Sequence, residues 1–294
     1  MLTVLESIKL STEYLQKKGI ESPRINAELL LAEILRCRRL DLYLKFDQPL
    51  KEEEINRYRE FIARRGKFEP LQYITGSVEF YGLEFKVNSS VLIPRPETEI
   101  LVETIIDSAV KEQNIDILDI GTGSGNIAVS IAKNLPNSKI YAIDNSLKAL
   151  QTAKENAILN SVDDRIEFIN DSILNGTIYS AKKYDIVASN PPYVSVEEFQ
   201  NLRPELKVYE PRSALTDEGD GYLFFRLISS KTKNILKEKG RLFFEVGKDQ
   251  HKQVENILLE NDFHNIKVKK DYLNIERVVY GEYETAAHPS AEEI

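Results

Sequence analysis

The chain from residue 115 onward alternates short apolar runs with amphipathic segments, and this alternation restricts its fold more than any other feature. The apolar runs, rich in branched residues, predict strands at Ile115–Ile120, Lys139–Ile143, Arg165–Ile169, Tyr184–Ser189, Gly240–Val246, Ile266–Lys270 and Ile275–Tyr280. The amphipathic segments predict helices at Asn126–Leu135, Leu147–Asn160, Tyr222–Glu238 and Lys248–Asn261. Strands separated by helices form an open, mostly parallel sheet that is covered on both faces. The sequence therefore predicts an α/β fold with a seven-stranded sheet.

The chain before this region has a different periodicity. Residues 1–72 contain only helical apolar stripes, which predict a small all-helical domain. Residues 73–95 place apolar side chains at strand-like spacing around Gly82, which predicts a β-hairpin that links the two domains. The α/β domain is then expected to span residues 96–283, and the small, polar tail 284–294 is expected to be frayed.

Composition narrows the classes of function. The 294-residue chain is 42% hydrophobic and 29% charged, as is ordinary for a globular protein, and no apolar run is long enough for a membrane span or a signal peptide. We therefore expect a cytoplasmic protein. A single cysteine, Cys37, cannot form an internal disulfide, and three scattered histidines predict neither a metal centre nor a Ser-His-Asp triad.

The net charge of -8 is distributed unevenly. Residues 1–75 carry 14 basic and 12 acidic side chains, whereas the rest of the chain carries 25 and 35. An acidic α/β domain is a poor electrostatic match to a nucleic-acid backbone. The charge favours a protein or a small molecule as the substrate.

A glycine-rich turn joins the first predicted strand of the α/β domain to its first helix. It reads Asp119-Ile120-Gly121-Thr122-Gly123-Ser124-Gly125. Glycines let the backbone approach a ligand, and the following helix N-terminus offers free N–H donors. The turn predicts a nucleotide-type cofactor, although such a turn alone is also common as a purely structural element.

Two further carboxylates follow predicted strands at the same edge of the sheet. Asp144 lies 19 residues past Gly125, where a carboxylate can accept both hydroxyls of a ribose, and it precedes Asn145. Asp171 and Ser172 end the next strand. Together with Asp119 they outline a nucleoside pocket, whose acidity suits a cofactor with an ammonium and a sulfonium better than one with a pyrophosphate.

The fourth predicted strand stops at Asn190-Pro191-Pro192-Tyr193, because two prolines lack the N–H groups that a central strand needs. The prolines hold the Asn190 amide at the edge of the sheet on a stiff backbone. The glycine turn, Asp144, Asp171 and this tetrapeptide, in that order, resemble the class I S-adenosylmethionine-dependent methyltransferases, which have a Rossmann-like fold. The resemblance implies that Asn190, Pro191, Pro192 and Tyr193 bind the target NH2 and are catalytic. It also implies that the cofactor is held by Asp119, Gly121, Thr122, Gly123, Ser124, Gly125, Asp144, Asn145, Asp171, Ser172 and Asn190.

Segments outside the shared core resemble a narrower family, the release-factor glutamine N5-methyltransferases. They are the helical domain, Thr75–Phe85, Leu92–Glu99 and Ser189–Tyr193. The resemblance implies methylation of the glutamine in the Gly-Gly-Gln loop of class I peptide-chain release factors, with the helical domain helping to bind the substrate. We also expect the enzyme to be a monomer. In this family many members have a large aromatic residue where this chain has Ser172, which puts the adenine contact there in doubt.

The residue patterns leave several alternatives open. Arg95 and Glu97 either begin a helix or line the substrate site. An exocyclic amino group of adenine in DNA or RNA has the same geometry as an amide NH2, and a glutamine of a ribosomal protein is a closer alternative substrate. The third hypothesis is a non-catalytic module that only binds the cofactor and a partner. The intact Asn190 argues against this hypothesis.

Overall fold

The structure, a computed structural model, describes residues 2–109, 114–175 and 182–284. Contacts divide the chain into two units: residues 1–77 with 203–209, and residues 78–202 with 210–294. The predicted tail lies outside the described residues, apart from Glu284. No helix in the described ranges is both long enough and apolar enough to cross a membrane.

The first unit is helical. It contains α1 (Val4–Lys17), α2 (Pro23–Leu35), a 3-10 helix (Arg39–Lys45), α3 (Glu52–Arg65) and α4 (Leu71–Thr75). Their apolar stripes meet in one core, whose fully buried members include Val4, Leu15, Leu30, Leu31, Leu42 and Leu50. The all-helical periodicity of the sequence is therefore reproduced in the structure.

A π-helical turn, Glu205–Tyr209, also belongs to the first unit, although it lies far along the chain. The buried Arg65 guanidinium donates to Glu205 Oε1 at 3.0 Å, and the Tyr209 hydroxyl donates to the Lys67 carbonyl at 2.8 Å. The sequence did not indicate these contacts, because the partners are separated by more than 130 residues.

The predicted hairpin consists of β1 (Ser77–Phe80) and β2 (Leu83–Lys86), and all of it except Ser77 belongs to the second unit. The left-handed backbone at Gly82 (φ 69°) forms its turn. The other elements are α5 (Thr98–Ser108), β3 (Ile115–Ile120), α6 (Asn126–Asn134), β4 (Ser138–Asp144), α7 (Leu147–Leu159), β5 (Ile166–Asn170), β6 (Tyr184–Ser189), α8 (Val196–Gln200), α9 (Arg212–Leu215), α10 (Leu223–Thr232), β7 (Leu236–Glu245), α11 (His251–Leu259), β8 (Phe263–Lys270) and β9 (Glu276–Tyr283).

Seven of these strands form one sheet in the order β5-β4-β3-β6-β7-β9-β8. The first five are parallel, whereas β9 runs antiparallel to both β7 and β8. Alternate residues of each strand point to opposite faces. Ile117 and Ile186 pack with α5 and α6 on one face, and Leu118 and Val187 pack with α10 and α11 on the other. The predicted α/β fold with a mostly parallel seven-stranded sheet is confirmed.

The predicted helix Tyr222–Glu238 was too long. Helix α10 ends at Thr232, and strand β7 begins at Leu236 rather than at Gly240. Ile235 and Leu236 are buried, and the Ile235 carbonyl accepts the Tyr184 N–H at 2.8 Å. Pairing with β6 therefore makes this segment extended, even though its sequence continues the helical pattern.

Candidate active site

A cavity of about 420 Å³ lies at the carboxyl ends of the parallel strands in the second unit. This edge of an open α/β sheet is where ligands usually bind. The predicted residues in its wall are Arg95, Gly121, Thr122, Gly123, Ser124, Asp144, Asn145, Asp171, Ser172, Asn190, Pro191 and Pro192. Four other predicted residues, Asp119, Glu97, Gly125 and Tyr193, are not part of the wall.

The glycine turn begins where β3 ends and is fixed by its neighbour β4. The N–H groups of Gly121 and Thr122 both donate to the Ile143 carbonyl, at 2.9 and 3.0 Å. The Gly123 N–H donates to Asp144 Oδ2 at 2.9 Å. The turn is therefore held in place by backbone bonds to β4 and by the carboxylate that ends β4.

Gly125 closes the turn with φ 79°, and a Cβ there would lie 3.0 Å from Ala153 Cβ in α7. We expect Gly125→Ala to lower the free energy of unfolding by about 2–4 kcal/mol, because it combines left-handed strain with overpacking. Gly82→Ala is the matched control: it has φ 69° and open space around it, so about 1–2 kcal/mol is expected. Urea unfolding of both variants measures the difference, and equal losses would contradict the close packing on α7.

Asp144 is the acidic side chain best placed to bind a ligand. Its Oδ1 accepts the Ser146 N–H at 2.8 Å, and its Oδ2 accepts the Gly123 N–H. Burial raises its pKa, although these backbone bonds act in the opposite direction. The carboxylate thus reaches the cavity while it holds the loops on either side.

Asp119 lies behind the cavity wall and is fully buried. Its Oδ2 accepts the Thr122 hydroxyl at 2.7 Å, whereas Oδ1 has no hydrogen-bond partner among the described residues. Burial raises the pKa of Asp119 to about 7. A position at the end of a strand therefore did not indicate whether this side chain reaches the cavity.

Asp119→Asn should change how stability depends on pH. The native state keeps the Asp119 proton up to about pH 7, whereas the unfolded chain releases it near 3.8. Since the native state binds the extra proton between these values, the stability of the original protein should fall relative to the variant as pH rises from about 4 to 7. The slope is at most roughly 1.4 kcal/mol per pH unit. Urea unfolding at pH 5 and 7.5 measures it, and parallel pH profiles would contradict the assignment.

The turn after β6 presents Asn190 to the cavity. The Ser189 hydroxyl donates to the Ile120 carbonyl at 2.7 Å and anchors the end of the strand. Asn190 Nδ2 donates to Thr98 Oγ1 at 3.2 Å, and no described residue donates to Asn190 Oδ1. The amide therefore turns its nitrogen towards α5 and leaves its oxygen as an acceptor.

Tyr193 supports the same turn from behind. Its carbonyl accepts the Gln250 Nε2–H at 3.0 Å, and Gln250 Oε1 accepts the Gly247 N–H at 2.9 Å. The Tyr193 hydroxyl donates to Glu245 Oε1 at 3.4 Å, and burial raises the pKa of the phenol. The ring therefore points towards the end of β7.

Asp171 and Ser172 use their side chains to shape a turn. Asp171 Oδ1 accepts the Ser172 N–H at 2.7 Å, and the Ser172 hydroxyl accepts the Leu174 N–H at 3.2 Å. The wall also contains apolar side chains that sequence reasoning had not assigned: Ile143, Ala149, Ile173, Leu174, Phe224 and Ile228.

The sequence did not decide whether Arg95 and Glu97 begin a helix or line the site, and the structure gives the two residues different positions. Arg95 lines the cavity and pairs with the buried Glu210, whose Oε2 also accepts the Ile93 N–H at 3.3 Å. Glu97 precedes the first residue of α5 and makes no side-chain capping bond. Thr98 was missed as a site residue, since nothing in the sequence indicates that it contacts Asn190 from 92 residues away.

Comparison with known proteins identifies the family. Residues 6–76 match the family model of the PrmC N-terminal domain, and residues 96–226 match that of the methyltransferase small domain. A release factor glutamine methyltransferase of Fusobacterium nucleatum is 42% identical over 94% of this chain and 77% of its own length. One of Chlorobaculum tepidum is 36% identical over 94% of this chain and 95% of its own. A solved methyltransferase structure from Pyrococcus furiosus shares the fold, with 16% identity, a TM-score of 0.52 and coverage of 70% of this chain and 91% of that one.

These relatives confirm the resemblance that the motifs predicted, and their similarity covers both units of the chain. The cavity wall contains residues 121–124 of the glycine turn, Asp144, Asp171 and Asn190, which belong to the motifs on which the resemblance depended. The chain belongs to the release factor glutamine methyltransferase family.

Proposed function

We propose that this protein transfers a methyl group from S-adenosylmethionine to the side-chain nitrogen of the glutamine in the Gly-Gly-Gln loop of class I peptide-chain release factors. The observation that carries the proposal is the Asn190 amide, which donates to Thr98 and leaves its oxygen as an acceptor at the cavity. Membership of the family supports the choice of glutamine.

The residues around the cavity fit the chemistry of this cofactor. Asp144 offers carboxylate acceptors for the two hydroxyls of a ribose. Asp171 in the cavity wall adds negative potential suited to an ammonium and a sulfonium, and Asp119, whose pKa burial raises to about 7, lies behind this wall. Ile173, Leu174 and Phe224 offer apolar surface to the adenine beside Ser172, which supports this placement of the ring. We therefore assign the cofactor to the glycine turn, Asp144, Asn145, Asp171 and Ser172, with Asp119 acting from behind.

The cofactor supplies an electrophilic methyl group on a positively charged sulfur. An amide nitrogen is a poor nucleophile, because its lone pair is delocalised into the carbonyl. We assign Asn190 Oδ1 and the Pro191 carbonyl to accept the two hydrogens of the target NH2, which directs the remaining electron density of the nitrogen at the methyl carbon. With the cofactor bound, the nitrogen would form the new N–C bond as the S–C bond breaks with its electron pair left on sulfur, and one amide proton would leave to water or to a neighbouring group.

The rest of the chain fits a protein substrate. We propose that the helical domain, predicted as residues 1–72, helps to bind the release factor, that the hairpin 73–95 links it to the catalytic domain 96–283, and that Arg95 and Pro192 line the path of the substrate. The acidic catalytic domain argues against nucleic acid. Release factors act in the cytoplasm, where we place this protein, and we expect it to work as a monomer.

The test incubates the protein with S-adenosylmethionine and a purified class I release factor, then measures the mass of each peptide. One methyl group on the loop glutamine, and none on a release factor with that glutamine replaced by alanine, is the expected result. Parallel reactions contain ribosomal proteins, adenine-containing DNA and ribosomal RNA. Methylation of one of these, with an unmodified release factor, would contradict the proposed substrate.

A further inference from the structure

The turn between β8 and β9 exposes two large apolar side chains, Tyr272 and Leu273. Tyr272 is 89% exposed and Leu273 is 79% exposed, whereas Val278 and Val279 in the adjoining strand are fully buried. At these exposures neither side chain contributes to the hydrophobic core. Isolated apolar residues on a surface are normal, but contiguous ones are typical of interaction sites. The reaction described above uses neither of them.

The backbone of this turn is fixed without help from the two apolar side chains. The Asn274 N–H donates to the Asp271 carbonyl at 2.9 Å, and Asn274 has a left-handed backbone with φ 64°. Asp271 Oδ1 accepts the N–H groups of Leu273 and Ile275 at 2.9 and 3.0 Å. Asp271 Oδ2 accepts Arg277 Nε–H at 2.9 Å. The tip of the hairpin is therefore preorganised by Asp271 and by backbone bonds.

Turn chemistry gives no reason for a tyrosine and a leucine at these two positions. The central residues of a turn are usually Gly, Pro, Asn, Asp or Ser, because these residues bend the backbone easily or bond to it. A departure from such a local rule is expected at functional sites. Since Tyr272 and Leu273 depart from it and remain exposed, they form a candidate contact site for another molecule.

The strand register places this tip at the edge of the sheet where the cavity lies. Ser189, which precedes Asn190, pairs with Phe244, and Phe244 pairs with Val279. Because β9 runs antiparallel to β7, its first residue, Glu276, lies beyond this row on the side of the carboxyl ends. Two strand spacings separate β6 from β9, so the tip lies about 10 Å to the side of the end of β6 and projects about 10 Å beyond it.

We propose that Tyr272 and Leu273 bind the protein substrate beside the opening through which its glutamine enters the cavity. The inference rests on the proposed function, because a release factor that presents its glutamine at this edge also brings its neighbouring surface there. A specific protein interface buries about 800 Å² on each partner, which corresponds to a radius of roughly 16 Å around the opening. The tip lies within that radius.

The two side chains suit different parts of such an interface. Tyrosine is among the residues whose truncation weakens interfaces most, so Tyr272 is the anchor, and Leu273 beside it excludes water from the contact. A preorganised turn also loses little conformational entropy on binding. The tip therefore provides affinity for the release factor without taking part in the chemical step.

The charged side chains next to the tip are paired with one another. Arg277 Nε lies 2.9 Å from Asp271 Oδ2, and Lys270 Nζ lies 3.2 Å from Glu276 Oε1. The tip therefore has little net charge with which to attract an acidic or a basic surface. The matching surface of the release factor is an apolar pocket, and this contact should persist at high salt, because apolar contacts are not screened.

The kinetic test uses the double variant Tyr272→Ser, Leu273→Ser, which keeps the Asp271 turn. The KM for a class I release factor should rise about 10–100-fold, both at low salt and at about 0.5 M salt, because the aromatic anchor is lost. The kcat at saturating release factor and the Kd for S-adenosylmethionine should change less than about threefold, since the site is untouched. An unchanged KM, or a fall in kcat alone, would overturn the proposal.

Ile158→Ser is the matched control. Ile158 is 63% exposed and lies near the end of α7, which leads the chain away from the cavity edge. Its replacement removes a similar exposed apolar side chain from the same unit, and the KM for the release factor should stay at the original value. A rise in KM as large as that of the double variant would contradict a contact specific to the tip.

Photo-crosslinking gives a second readout that does not depend on turnover. Benzoylphenylalanine in place of Tyr272 should form a covalent product with a purified class I release factor on illumination, whereas the same group in place of Ile158 should not. A product that joins two copies of this chain, or no product from a protein that still methylates the release factor, would overturn the proposal.

The two experiments also separate this inference from the proposed function. A crosslink to the release factor without methylation of its loop glutamine by the original protein means that the proposed function fails and the docking surface stands. Methylation of that glutamine with the same KM in the original protein and in the double variant means that the docking surface fails and the proposed function stands.

Discussion

Asn190→Ala is expected to lower kcat by about 10²–10³-fold, which is the usual effect of removing one preorganised hydrogen-bonding group from an active site. The variant loses the acceptor for one hydrogen of the target NH2 but keeps the backbone of the two prolines. Because Asp144 and the glycine turn are untouched, the Kd for S-adenosylmethionine should change by less than about threefold. Single-turnover methylation at saturating cofactor, together with calorimetry, measures the two quantities separately.

Asn234→Ala is the matched control, since Asn234 is an exposed asparagine in the same unit whose side chain bonds no described residue. It should keep the original kcat. Comparable turnover by Asn190→Ala and by this control would contradict the two-acceptor mechanism. A large loss of cofactor affinity in Asn190→Ala would instead mean that the amide binds the cofactor.

Asp144→Ala is expected to weaken cofactor binding by about 10–100-fold. Hydrogen bonds to a charged group contribute roughly 1.5–3 kcal/mol each when their loss leaves a partner unsatisfied. The variant removes the acceptors assigned to the ribose and also the acceptor of the Gly123 and Ser146 N–H groups. Calorimetric titration with S-adenosylmethionine measures the Kd, and kcat at saturating cofactor should fall much less.

Asp163→Ala, at an exposed aspartate in the same unit, controls for the loss of one negative charge. Unchanged affinity in Asp144→Ala would place the ribose elsewhere. Asp144→Asn separates the two roles of the carboxylate, because an amide oxygen still accepts one of the two backbone N–H groups. Its affinity should lie between those of the original protein and of Asp144→Ala.

Much of the site could be predicted because the relevant residues are adjacent in the sequence. The turns 119–125 and 190–193 each follow a buried strand, and parallel strands bring their carboxyl ends to one edge of the sheet. The direction in which a side chain points could not be predicted from its position in the sequence. Asp119 and Tyr193 occupy positions like those of Asp144 and Asn190, yet Asp119 is fully buried and the Tyr193 hydroxyl donates to Glu245 at the end of β7.

Other features depended on partners far along the chain. Thr98 meets Asn190 across 92 residues, and Tyr193 meets Glu245 across 52. The end of α10 also could not be predicted from the local sequence, because pairing with β6 overrides the helical pattern after Thr232. Periodicity describes the preference of a segment for one structure, but it does not describe the competition between that preference and a neighbouring strand.

The sequence by itself determined the helical first segment, the mostly parallel sheet, the glycine turn and the stop of β6 at two prolines, since these follow from local apolar periodicity and backbone chemistry. Only the tertiary structure decided that Thr98 holds Asn190, that Glu245 accepts the Tyr193 hydroxyl, and that Asp119 is buried with no partner for Oδ1 among the described residues. The physical reason is that hydrogen bonding and desolvation act between groups brought together by packing, whose separation in the sequence contains no information about their contact.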